Sequence, residues 1–365
     1  MSTLLLSHAD LQRVVQRVGI DAFMDEMISR LDTALSDFDP EVTEIPIRDG
    51  FHYESPVTGL IEWMPLLEKH KSVVIKVVGY HPDSPDTLQL PTILSNLSKY
   101  DPATGRLLAL VDGTFLTAMR TGAVSAVASR VLADPGSTTV GLIGCGAQAV
   151  TQLHALTRCF PVTDVLIRDA DGAAMNSFPD RIRAYATPGM RIREARVGEI
   201  VATADILCVA TSVGIGHGPV FTELNTKPTL HVNAVGSDFP GKLELPKQLL
   251  LDSYVCPDTL EQAMREGECQ QLAREQVGVD LVTLIQNRED FYQYQAANTV
   301  FDSTGWALED QVAMDLILEY ANAFQIGTQV QIECVSVDPR DPYEFLHDDA
   351  ADDANNSHVP IGGVA

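Results

Sequence analysis

The sequence predicts an α/β protein in two parts, a doubly wound parallel-sheet domain preceded by an α+β domain. Three observations predict it. An apolar run ending in closely spaced glycines, VGLIGCGAQAV, lies at 140–150, far from the start of the 365-residue chain. Beyond it, apolar strand-like runs alternate with helical stretches, the pattern of a parallel sheet covered on both faces. Ahead of it, a helical segment is followed by extended segments separated by Gly, Pro and Asp, the pattern of a mostly antiparallel sheet. The length suits two cores, since single cores rarely grow far beyond about 250 residues.

In chain order, Asp10 to about Phe38 places apolar residues at three-to-four spacing and reads as one amphipathic helix. EIPIRDGFHYE, GLIEWMPLL, SVVIKVVGYHP and RLLALVDG follow as strands, then TFLTAMRTGAVSAVASRVLA as a long helix and DPGST as a linker. Next come the strand TTVGLIG, a helix from Ala147, the strand DVLIRD, a helix, and the strands ADILCVAT, TLHVNAVG and SYVCPD. The helical LEDQVAMDLILEYANAF and the strand-like TQVQIECVSVD close the ordered part and read as a return to the first domain.

Composition narrows the function classes. Hydrophobic residues at 45% and charged residues at 21% fit an ordinary globular protein without a run long enough to span a membrane. MSTLLLSHAD lacks the basic leader and long apolar core of a secretory signal, so a cytoplasmic location is expected. A net charge of -25 argues against nucleic acid, because phosphate binding requires a basic face. Cys145, Cys159, Cys208, Cys256, Cys269 and Cys334 stand singly, without the pairing that zinc requires, and read as reduced thiols. From Asp338 onward the chain carries seven carboxylates against one Arg and reads as a solvated acidic tail.

In GLIGCGAQAV, Gly144, Gly146 and Ala149 occupy the G-x-G-x-x-A positions, after a strand and before a helix. The first glycine permits the tight turn, the second lets backbone approach a pyrophosphate, and the small third residue lets helix and strand pack closely. Cys145, Ala147 and Gln148 complete the turn that would cradle a dinucleotide at the helix N-terminus. Asp169 ends the next strand where an acid receives the adenosine ribose hydroxyls, which favours NAD; Arg168 beside it could instead meet a 2'-phosphate.

Eight ordered segments, IEWMP, IKVVGYHPDSP, LPT, DGTFLTAMRTGAVSAVAS, GLIGCGAQA, HVNAVGSDFPGKLEL, REGECQQL and VFDSTGWALED, resemble the ornithine cyclodeaminase and mu-crystallin family, most closely its bacterial lysine cyclodeaminase branch. The resemblance implies a substrate-binding and dimerisation domain over 1–134, a Rossmann-type NAD domain over 135–308, a return to the substrate domain over 309–338, and a tail over 339–365. It also implies a homodimer whose sheets meet in a closed barrel.

A free amino acid presents a carboxylate and at least one amine, so its site needs fixed cations and an acid. Arg48 in IPIRDG, Lys76 inside VVIKVV and Arg120 after TFLTAM are the carboxylate-binding candidates. A cation in a strand is commonly a snorkelling surface side chain; Lys76, between β-branched neighbours, is buried if the strand is, and then needs an anionic partner. Asp238, after a strand that ends at the cofactor edge, is the acid/base candidate, against a solvated turn residue. Lys76 joins it in the catalytic set. Lys242 in the same loop touches the cofactor or the carboxylate in this reading, and Glu62 and Glu266 receive amines, although exposed carboxylates are commoner. Thr92 on the substrate and Thr211 and Ser303 on the cofactor are small hydroxyl contacts implied by the resemblance.

The activity implied is conversion of L-lysine or L-ornithine into L-pipecolate or L-proline with loss of ammonia, the hydride going to bound NAD and back. One-way hydride transfer by a ketimine reductase or an amino-acid or opine dehydrogenase is the rival within enzymes, and a non-catalytic cofactor-binding protein is the rival outside them.

Overall fold

The computed structural model describes residues 2–333 and 336–346. The strands are β1 Thr3–Leu6, β2 Thr43–Glu44, β3 Asp49–Tyr53, β4 Gly59–Glu68, β5 Ser72–Tyr80, β6 Ile93–Tyr100, β7 Leu107–Asp112, β8 Thr139–Ile143, β9 Asp164–Arg168, β10 Arg191–Glu194, β11 Ile206–Val209, β12 His231–Ala234, β13 Tyr254–Pro257, β14 Thr299–Asp302 and β15 Thr328–Val330. They form two sheets. The first runs β15-β1-β7-β6-β5-β4-β2, with β3 also paired to β4. The second runs β10-β9-β8-β11-β12-β14-β13 and is parallel throughout.

Alternation along β4 and β5 sets the inner face of the first sheet. Leu60, Glu62, Met64 and Leu66 on β4, and Val74, Lys76 and Val78 on β5, are buried, with Met64 opposite Lys76. Helices Ile20–Ser36, Thr114–Leu132 and Ala307–Phe324 share the core on that face. Two charged side chains thus point inward among apolar ones. The opposite face leaves Phe51, Ile61 and Leu94 exposed, and they fall on one cross-strand row, Phe51 opposite Ile61, Ile61 opposite Gly79, and Gly79 opposite Leu94.

The segment expected as one helix from Asp10 to Phe38 is two, His8–Val18 and Ile20–Ser36. Gly19 adopts φ +87; its N–H closes the first helix on the Val15 carbonyl and its carbonyl opens the second by accepting from Phe23. Arg48, expected on a strand, precedes β3, because Pro46 offers no N–H to continue the ladder. The last expected strand shrinks to Thr328–Val330, antiparallel to β1. Glu333 then anchors the chain by accepting from the Leu107 N–H at 2.6 Å and from Arg106 at 3.1 Å. Cys334 and most of the expected tail lie outside the described residues.

In the second sheet the strand order reverses between β8 and β11, so a crevice opens beyond their carboxyl ends. The glycine turn sits there. Gly144 has φ +94, and a Cβ on it would lie 2.3 Å from the Ala210 carbonyl oxygen, so both backbone shape and space demand glycine.

Candidate functional site

The turn after β8 delivers Gly146 to the N-terminus of helix Ala147–Cys159, whose free N–H groups favour an anion. Asp169, just beyond β9, accepts hydrogen bonds from the Cys145 N–H at 2.6 Å and the Asp171 N–H at 2.9 Å, which places its carboxylate against the glycine turn. Arg168 turns to Glu194 on β10, at 2.6 Å. Arg181, not singled out from sequence, donates to the Cys145 carbonyl at 2.6 Å and the Ala174 carbonyl at 2.7 Å and so braces the turn.

A cavity of about 590 Å³ lies over this turn, lined by Gly146, Ala147, Gln148, Thr211 and Lys242 among others, and closed on the far side by Thr92 and its neighbours from the segment before β6. Gly144, Cys145 and Asp169 do not line it. Thr92, assigned to the substrate from sequence, therefore faces the larger cavity.

A second, smaller cavity of about 80 Å³ is lined by Arg48, Glu62, Lys76, Arg120, Asp238 and Ser303, with apolar Leu60, Met64, Val78 and Val235 between them. Tyr80, Ile93, Thr117, Gln148, Val235 and Asp238 belong to both walls. Ser303, assigned to the cofactor from sequence, lines the smaller cavity, and its buried hydroxyl has no hydrogen-bond partner among the described residues.

Each cation is held by a buried acid or carbonyl. Lys76 meets Asp310 at 2.8 Å. Arg120 meets Glu309 at 2.5 Å and Asp310 at 3.2 Å. Arg48 donates to Glu266 at 3.0 Å, to the Thr304 carbonyl at 3.0 Å and to the Asp238 carbonyl at 2.6 Å. Glu266 thus stands behind Arg48 and does not line the cavity. Burial, then repulsion from Arg120, lowers the Lys76 ammonium to about 8 despite Asp310. Burial also raises the Glu309 carboxyl to about 7, against the attraction of Arg120. Glu309 and Asp310 escape a reading of the sequence because they open a helix, where acids serve the dipole.

Glu62 differs from the other buried acids. Its oxygens stand 3.6 Å from Arg48 Nε and from His52 Nε2, beyond hydrogen-bond length to both. Burial raises its carboxyl above the ordinary value. Asp238, one third exposed, meets Lys242 at 3.0 Å, and the Lys242 ammonium lies 5.1 Å over the Tyr80 ring. Burial works against that charge, but Asp238 and Tyr80 hold the ammonium above its usual value. The arrangement gathers three cations and the Glu62 carboxylate around the smaller cavity, with Asp238 on the wall shared with the larger one.

The family model described as the ornithine cyclodeaminase/mu-crystallin family matches residues 9–324. The chain is 41% identical to an L-lysine cyclodeaminase of Streptomyces rapamycinicus over 346 residues, 94% of this chain and all of that one. It superimposes with TM-score 0.91 and 44% identity on a solved lysine cyclodeaminase, covering 94% of this chain and 99% of that one; that enzyme recognises L-lysine, L-ornithine and L-2,4-diaminobutyric acid. An archaeal alanine dehydrogenase dimer with bound NAD follows at TM-score 0.80 and 28% identity, covering 91% of this chain and all of that one. Matched along nearly its whole length by sequence and by fold, the chain belongs to the ornithine cyclodeaminase/mu-crystallin family.

Proposed function

We propose that the protein is an NAD-dependent cyclodeaminase that converts L-lysine or L-ornithine into the cyclic imino acid and ammonia. The observation that carries the reading is the pairing, in one cavity, of the carboxylate-binding cations Arg48, Lys76 and Arg120 with Glu62, a buried acid beyond hydrogen-bond length of both Arg48 Nε and His52 Nε2. A monoamino acid such as alanine would bring Glu62 no second ammonium, leaving it only the Arg48 guanidinium at 3.6 Å.

NAD fits the larger cavity on this chain's own features: the glycine turn and the free helix N-terminus at its wall, and Asp169, outside that lining but hydrogen-bonded to the turn, for the ribose, with Arg168 drawn to Glu194. When bound, NAD supplies a hydride acceptor and donor for the α-carbon. Arg48, Lys76 and Arg120 fix the substrate carboxylate and so orient the α C–H. Asp238, on the wall shared by both cavities, takes a proton from the side-chain nitrogen as it attacks the α-carbon and gives one to the departing α-nitrogen. Lys242, 3.0 Å from Asp238, holds that side chain in place, and Leu60, Met64 and Val78 surround the methylenes.

A homodimer through the outer face of the first sheet belongs to the same proposal; the exposed row of Phe51, Ile61 and Leu94 supports it, as does the dimeric archaeal relative. No helix of the described residues is long and apolar enough to cross a membrane, and a cytoplasmic location fits the free thiols among them.

The test is lysine or ornithine deuterated at the α-carbon, with a trace of NAD. The expected product keeps the deuterium, ammonia appears in step with it, and NADH does not build up. Stoichiometric NADH, or a product that has lost the label, would replace the closed cycle with a one-way dehydrogenase.

A further inference from the structure

Glu244 lies in the loop between β12 and helix Lys247–Leu251 and is completely excluded from solvent. One carboxylate oxygen accepts both the Thr211 N–H and the Thr211 hydroxyl, each at 2.6 Å. The other accepts the Gly236 N–H at 3.0 Å. Thr211 belongs to the turn after β11, and Gly236 opens the loop after β12 that carries Asp238 and Lys242. One side chain therefore ties together the two strand ends that wall the larger cavity.

The tie is built closely. A Cβ on Gly236 would fall 2.4 Å from each Glu244 carboxylate oxygen, so the carboxylate fits only because position 236 has no side chain. The Glu244 backbone is itself held, its N–H donating to Glu268 at 2.6 Å and its carbonyl accepting from Val220 at 2.9 Å. Asp238 follows two residues after Gly236. Lys242, two residues before Glu244, meets Asp238 at 3.0 Å, so the loop closes on itself at both ends. A carboxylate with no water access and three donors aimed at two turns has no room to adjust one turn without moving the other.

We propose that Glu244 is a positioning residue for the reaction, holding the cofactor turn at Thr211 and the Asp238 loop in one fixed relation so that hydride and proton transfers share a single geometry. The proposal rests on the cyclodeaminase reading above. Glu244 lines neither cavity; it acts through Thr211 and Gly236. In Glu244→Gln one end of the side chain becomes a donor facing a donor. In Glu244→Asp the charge stays, but the arm is one methylene too short to reach both turns.

The experiment compares the full-length holoenzyme with both variants, using lysine with and without α-deuterium and counting only folded protein. The expected result is a fall in kcat of about tenfold or more in both, with a larger deuterium isotope effect on kcat, because transfer from a misaligned α-carbon becomes the slow step. KM for lysine should move less than about threefold, since no lysine contact is altered. Wild-type kcat and isotope effect in either folded variant would overturn the proposal, even with a lower Tm. Failure of both variants to fold would overturn it too, since Glu244 would then serve the fold and not the alignment. If the wild-type enzyme leaves lysine and ornithine unconverted but transfers hydride with another amino or imino acid, the substrate reading fails, and the same comparison with that compound still decides the role of Glu244.

Discussion

Lys76 and Asp310 face each other at 2.8 Å, with side chains only 1% and 2% exposed. Burial nevertheless brings the Lys76 ammonium down to about 8, so the charge proposed to meet a substrate carboxylate persists only below that pH. The expected kcat/KM falls above about pH 8. Lys76→Arg should move that limb upward, because guanidinium keeps its proton; a limb that stays in place belongs to another group. Lys76→Met should raise KM for the amino acid by roughly 10- to 150-fold, the equivalent of about 1.5–3 kcal/mol for a hydrogen bond to a charged group.

Asp238→Asn keeps the shape of the loop and cannot carry a proton. Turnover should drop by about 10²–10⁴, the usual worth of a general acid/base, while NAD binding, followed by fluorescence titration, stays within a few-fold. Preserved turnover would remove Asp238 from the mechanism.

Asp169→Ala should weaken NAD by about 1.5–3 kcal/mol through lost ribose hydrogen bonds and should not create NADP binding, because Arg168 remains paired with Glu194. The double variant Asp169→Ala with Glu194→Gln, which frees Arg168, is expected to gain affinity for NADP. Isothermal titration with both cofactors checks this; equal losses for NAD and NADP in the single variant would point to collapse of the glycine turn.

Asp302 titrates against the ordinary trend. Burial raises its carboxyl to about 7, although the Glu268 and Cys269 N–H groups donate to it. Since the folded state binds the proton more tightly, its contribution to stability is fully present below about pH 3.8 and is lost as pH rises through about 7. Asp302→Asn should flatten that decline in urea unfolding between about pH 4 and 7, by about 1.4 kcal/mol per unit of pKa difference. An unchanged slope would mean that the group does not hold its proton in the fold.

Part of the candidate site is legible in the sequence because local chemistry dictates it. Gly144, Gly146 and Asp169 follow from short-range geometry, and Lys76 stands out because an ammonium among β-branched residues must find an anion. The anion itself is not legible. Asp310 lies 234 positions away in sequence, on a helix whose acidic first turn has an ordinary explanation, and Glu244 carries no motif that singles it out. Residue type predicts that a partner exists, whereas only the crossing of distant segments says which one. Short strands such as β1 and β10 escape notice for a related reason: four residues carry too little period to stand out, and their neighbours in the sheet define them.

The wall common to the two cavities leaves neither ligand an independent binding constant. Tyr80, Ile93, Thr117, Gln148, Val235 and Asp238 face both, so a rotamer chosen for one occupant is imposed on the other. Whatever factor bound dinucleotide adds to amino-acid affinity, the amino acid must return to the dinucleotide by thermodynamic reciprocity. Where that factor exceeds one, substrate in excess raises the equilibrium share of protein that holds the cofactor. A coupling of that sign would suit the enzyme to keep one dinucleotide through many turnovers.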